Sequence, residues 1–229
     1  SGTYYYNMNI LRARPDIDIL EYPIISHYES PRSKVISFKP EKVSGNENIF
    51  KDWIARQGYE HCFACNKIYR ADLFMFIRYP EGEVFEDTYI TPILYSSSEN
   101  VYYSDCGFYY YYDNEESISN IHSFDSYFFL YRNLAALHEK CAAIPELHEE
   151  ANRILLRCID NLTDLCRCSD CEKDKLKEAV ELVKERRINI GTLYKTEFSL
   201  KQKIKYTTFA LFGAGIHCRL LALFHKKLN

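Results

Sequence analysis

The stretch EDTYITPILYSSSENVYYSDCGFYYYYDN, residues 86–114, decides how the chain is read. Its first half, TYITPIL with the serines after it, has the make-up of a helix with Pro92 near its start. Its second half, VYYSDCGFYYYYDN, reads as one or two strands, because Val and Tyr favour the pleated, half-buried surface. A helix running straight into strands is α/β organisation.

Just upstream, Pro80-Glu81-Gly82 is turn chemistry, and Val84 and Phe85 offer the loop an anchor in the core. Glu81, Glu83, Glu86 and Asp87 therefore crowd one turn and one helix start. Two readings of Glu86 and Asp87 stand side by side. They cap the helix, where exposed amides stabilise negative charge. Alternatively one carboxylate faces a cleft and takes a proton from an attacking hydroxyl, for which it must be ionised and within hydrogen-bond reach. Helix-start amides help to keep it ionised. Spacing alone does not choose between the two.

Further upstream, residues 4–14 are helix-like and end before Pro15. IDILEYPIISHYES is rich in β-branched and aromatic residues and predicts a strand over 17–28. A polar turn, a short strand over Val35–Phe38 and a loop follow. Ile49, Phe50, Trp53 and Ile54 have helical spacing over 47–58, stopped by Gly58. NKIYRADLFMFI suits an extended start and a short helix.

Downstream the character changes near Ser123. Helices are expected over 125–143, 146–166 and 172–187, and a last helical region over 199–228 is interrupted at Gly213-Ala214-Gly215. The opening SGTYYYNMNILRARPDIDIL reads as a helix running into a strand, and the expectation is a piece of a longer protein.

Composition narrows the function classes. There are 20 Tyr and 14 Phe against one Trp, which points to many half-buried rings with a polar tip near water. A net charge of −3 excludes a whole-molecule nucleic-acid footprint. The charge is uneven, however. From Phe198 onward there are six cations (Lys201, Lys203, Lys205, Arg219, Lys226, Lys227) and no acid, which leaves −9 elsewhere. Basic residues interleaved with Leu, Phe and Ile fit an amphipathic helix on an anionic membrane surface over 199–228. They equally fit a helix packed on the acidic remainder.

Nine cysteines at scattered spacings look like free thiols of a reducing compartment. Cys62-x-x-Cys65 and Cys168-x-x-Cys171 have zinc-ligand spacing, and Cys166, Cys168 and Cys171 form a compact loop, but plain reduced cysteines are the simpler reading. No metal site is assigned among them. No apolar run reaches the roughly 18–20 residues that span a bilayer.

The segment from Asn66 to Ile118 resembles the C-terminal half of the catalytic domain of bacterial family 2 glycosyltransferases. The elements are Asn66-Lys67-Ile68-Tyr69-Arg70, Leu73-Phe74, Ile77-Arg78-Tyr79-Pro80-Glu81-Gly82, Glu86-Asp87, Tyr109–Tyr111 and Ser117-Ile118. Upstream, PDIDILEYPIISHYES is similar to the segment that follows the family's metal-binding strand. The resemblance covers about residues 10–120.

It implies a partial GT-A-like mixed sheet flanked by helices over 1–122, the acceptor-side half of the domain, and a mostly α-helical region over 123–229. It also implies an inverting transferase. Asp87 would be the general base, Glu86 would position it or bind acceptor, and Asn66, Lys67 and Arg70 would bind substrate. The partners would be a nucleotide-diphosphate sugar and a cell-surface glycan or lipid-linked acceptor, at the cytoplasmic face of the membrane.

The departures matter as well. The family's Asp-x-Asp site for Mg²⁺ or Mn²⁺ belongs to a donor-binding half that this chain lacks, so the fragment alone is expected to be inactive. Asp16-Ile17-Asp18 has the letters but sits after Pro15 at a strand entry. Cys65 stands where the family often has Trp, and Tyr112 where it often has Arg. The rival expectation is a non-catalytic helical interaction module fused to a degenerate remnant of such a domain.

Overall fold

The structure is a computed structural model and describes residues 2–112, 123–168, 172–184, 186, 188–195 and 198–224. The chain is α/β, with two mixed sheets flanked by helices and a helical C-terminal region. It divides into two compact units, Ser1–Gly82 with Glu86–Asn120, and Glu83–Phe85 with Ile121–Asn229.

The first unit opens with α1 (Gly2–Ala13), which stops before Pro15 as its sequence requires. The segment expected as one strand over 17–28 is two, β1 (Ile19–Glu21) and β2 (Ile24–Tyr28), in different sheets. Pro23 separates them, since it has no N–H to give a ladder. The larger sheet has the order β4-β6-β1-β5, with β4 (Glu41–Ser44), β5 (Lys67–Tyr69) and β6 (Asn100–Tyr103). β1 runs parallel to β6 and antiparallel to β5. The smaller sheet is β3-β2-β7, with β3 (Lys34–Ile36) and β7 (Tyr109–Tyr112). The EKVS segment expected as loop is therefore a strand, recruited by antiparallel pairing with β6.

Central β1 is buried at all three residues, which is why its sequence does not alternate. One face carries Ile17, Leu20 and Tyr102, with Ile10 and Leu11 of α1 packed against them. Helices α2 (Asn46–Ala55) and α3 (Glu86–Ser97) pack together. The predicted stripe of Ile49, Phe50, Trp53 and Ile54 is wholly buried. The Trp53 and Tyr95 rings lie 5.3 Å apart. Gly58 presses so closely on Trp53 that a Cβ there would lie 2.1 Å from the indole nitrogen. Pro92, expected near the start of α3, is its seventh residue.

The second unit contains α4 (Phe124–Ala142), α5 (His148–Arg167), α6 (Lys173–Val183), α7 (Ile190–Lys195), α8 (Leu200–Phe212) and α9 (Ala214–Phe224). Ser123 caps α4, accepting from the Ser126 amide. Ser199 and Gln202 form a capping box at the start of α8. The expected break lies at Gly213, whose φ of 80° suits a residue without a Cβ. The α4–α5 pair is the backbone of this unit, and the Tyr131 hydroxyl ties α4 to the Ala179 carbonyl of α6.

Candidate acid–base site

The first unit holds a buried polar cluster centred on Glu21 at the end of β1, a residue with no solvent exposure. Its carboxylate takes the Tyr95 hydroxyl at 2.5 Å, Lys67 Nζ at 3.1 Å and His61 Nδ1 at 3.2 Å. Burial alone would raise its pKa. The Lys67 charge, the His61 ring close by and the hydrogen bond from Tyr95 outweigh that and hold it well below the usual carboxylate range. Sequence reading missed this cluster. Its one signal was an acid inside an apolar run, DILEYPII.

The cluster accounts for two expected substrate-binding residues. Asn66 is fully buried, donates to the Tyr22 carbonyl at 2.9 Å and accepts from Lys67 Nζ at 3.0 Å. Lys67 also donates to the Phe63 carbonyl at 2.7 Å and the His61 carbonyl at 3.2 Å. Lys67 is thus neither a cleft wall nor a surface cation. All three of its protons are engaged inside the protein, because a buried ammonium needs a full set of acceptors. Arg70 is partly exposed, but it is bound at 3.1 Å to Asp18 and at 2.7 Å to the Pro15 carbonyl.

Those contacts also decide the Asp16-Ile17-Asp18 segment. One Asp18 oxygen accepts the Glu99 and Asn100 amides at 2.7 and 2.9 Å, and the other faces Arg70. Asp16 pairs with Lys42 at 2.5 Å. These carboxylates anchor the sheet edge and do not fit a Mg²⁺ or Mn²⁺ ion. Among the described residues no group of three His, Cys, Asp or Glu is placed to hold a metal. Cys171 lies outside the described residues, as do Ser117 and Ile118 of the resemblance.

Asp87 and Glu86 start α3, and both are half-buried. Burial, then the neighbouring Glu86 charge, pushes the Asp87 pKa up from 3.8 to about 6. The Thr88 and Asp87 amides and the Lys67 ammonium pull the other way and lose. The helix-start amides therefore do not keep this carboxyl strongly ionised, as their position alone suggested. Around it stand Cys65 and Tyr79, whose own pKa values are raised chiefly by burial and further by Asp87. An aromatic ladder backs them. Phe74 stacks on Tyr79 at 6.2 Å and meets Tyr69 edge-on at 5.6 Å. The Tyr69 and Tyr79 hydroxyls are buried and lie close to one another.

Phe85, just before this helix, has a φ of 59°, a left-handed conformation that a bulky residue rarely adopts. Such strain persists only where surrounding contacts over-determine it.

The arrangement can hold or take one proton near neutrality. A carboxyl with a pKa near 6 is half protonated near pH 6 and largely ionised above it, so that it can accept a proton at neutral pH. No protein-family model matches the chain, and no curated protein matches it.

Proposed function

We propose that this chain supplies the acceptor side of an inverting family 2 glycosyltransferase acting at the cytoplasmic membrane face. Asp87 is the general base. The acceptor hydroxyl gives its proton to the Asp87 carboxylate while its oxygen bonds to the anomeric carbon of the donor sugar. The bond from that carbon to the diphosphate breaks, and the nucleoside diphosphate leaves with the electron pair. The acceptor is a cell-surface glycan precursor or its lipid-linked form.

The observation that carries this reading is the half-buried Asp87 at the start of α3, raised to about 6 by burial and by Glu86. The Glu-Asp pair stands at the position where the resemblance puts the base. Glu86 contributes by raising its neighbour's proton affinity, and the Tyr69, Phe74 and Tyr79 rings pack together beside the pair. Asn66 and Lys67 act as positioning residues, through Glu21 and the β5 end, rather than as ligands. The test is sugar transfer by the complete gene product carrying Asp87→Asn. Loss of transfer with donor binding kept supports the assignment, and retained transfer overturns it.

A second reading, a non-catalytic helical interaction module on a degenerate remnant, is favoured by one observation. Asn66, Lys67 and Asp18 are all occupied by internal contacts. Under that reading the complete gene product binds no nucleoside diphosphate.

A further inference from the structure

The helical unit contains a cavity of about 730 Å³ between the end of α5, one face of α6 and the first turns of α9. Its floor is apolar, made by Leu176, Val180, Gly215 and the buried Cys218. Its rim carries Lys173, Lys177 and Arg219, all exposed. Among the described residues none of these three has an acidic partner. Among the described residues the one acid lining the rim, Glu181, is already held by Lys184 at 3.1 Å. Three such cations over an apolar hollow describe a ligand with an anionic head and a hydrocarbon tail.

The neighbouring surface points the same way. Leu200, Ile204 and Leu211 are exposed at helical spacing along α8, and Ile216 and Leu220 are exposed on α9 beside Arg219. Exposed aliphatic residues in a series are unusual on a solvated helix face. The expected packing of the tail on acidic sequence is met only in part. Lys205 pairs with Asp160 at 2.6 Å, and Lys203 donates to the Tyr194 carbonyl at 3.0 Å. Lys201 and Arg219 remain without an acidic partner among the described residues.

We infer that the α6–α9 cavity is a binding site for an anionic phospholipid of a bilayer surface. Lys173, Lys177 and Arg219 receive the phosphate, and Leu176 and Val180 receive the upper acyl chain. The exposed aliphatic residues of α8 and α9 enter the headgroup boundary. Among the described residues no helix is long and apolar enough to cross a membrane, so the contact is with one leaflet. The inference rests on the helical unit alone and stands whether or not Asp87 transfers a sugar.

The test is sedimentation of the full chain with vesicles of phosphatidylcholine, with and without phosphatidylglycerol. Binding is expected only where phosphatidylglycerol is present. Each cation near an anionic leaflet strengthens binding about fivefold, so Lys177→Gln with Arg219→Gln weakens it about 25-fold. Val180→Trp fills the hollow without changing charge and also weakens binding. Should Val180→Trp fail to fold, Leu176→Gln at the half-exposed part of the apolar floor replaces it. Equal binding to neutral vesicles overturns the site, as does no binding to anionic ones. So does unchanged binding by the cavity-filling variant, which would leave only surface charge. Binding of inorganic phosphate by a chain that does not sediment with anionic vesicles would reassign the rim to a free anion and overturn the lipid assignment.

Discussion

Replacing Asp87 by Asn should stabilise the protein, and the gain should depend on pH. The wild-type carboxyl has a folded pKa of about 6 against 3.8 for a free group. A raised acid pKa means that folding favours the protonated form. Its stabilising contribution is complete below about pH 4 and is lost as pH rises through about 6. The shift of about two units corresponds to at most about 3 kcal/mol at 1.36 kcal/mol per unit. Remaining contact with solvent reduces this to about 1.5 kcal/mol. The substituted amide has no proton to lose, so the stability difference between variant and wild type should grow by about that amount between about pH 4 and pH 8. Any constant cost from altered hydrogen bonding at the α3 start cancels in this comparison. The assay is guanidinium unfolding of both proteins at several pH values. A difference that stays flat across the range would refute the reasoning, because it would mean that Asp87 is as well solvated folded as unfolded.

Two further outcomes follow from the buried cluster and the core. Glu21→Gln removes the charge opposite Lys67 while leaving the ammonium inside, and should cost about 3–5 kcal/mol in the same unfolding assay. A cost under about 1 kcal/mol would mean that Lys67 reaches water. Gly58→Ala puts a methyl group into the space of the fully buried Trp53 ring, and overpacking there should cost about 1–3 kcal/mol with a changed tryptophan emission. A neutral effect would show that the α2 end can shift away.

Most of the helical unit was legible from its sequence because period and punctuation agree there, but the short α7 (Ile190–Lys195) was not expected. Ser123, Pro145, Ser199 and Gly213 mark the ends of helices whose apolar stripes repeat at helical spacing. The sheets were less legible. DILEYPII carries a β signal interrupted only by Pro23, and pairing partners distant in sequence (Val101 for Ile19, Tyr109 for Ile24) place its two parts in different sheets. EKVS has almost no strand character of its own and takes its state from β6. At the site, local spacing identified the Glu86-Asp87 helix start. It could not give the balance between burial and amides that raises Asp87, since that depends on packing around the carboxyl. Lys67 misled for a related reason. A lysine in a polar-looking segment is ordinarily solvated. Here Glu21, 46 residues earlier, draws it inside, a pairing no local pattern contains.

The account turns on Asp87 acting as a proton acceptor with an affinity set by its surroundings. The most direct measurement is the pH dependence of sugar transfer by the complete gene product, wild type against Asp87→Asn. Wild-type turnover should fall along an acid limb centred on about pH 6, and the variant should be slower by about 10²–10⁴-fold across the range. Transfer that persists in the variant, or a wild-type rate that is level through that limb, would contradict it.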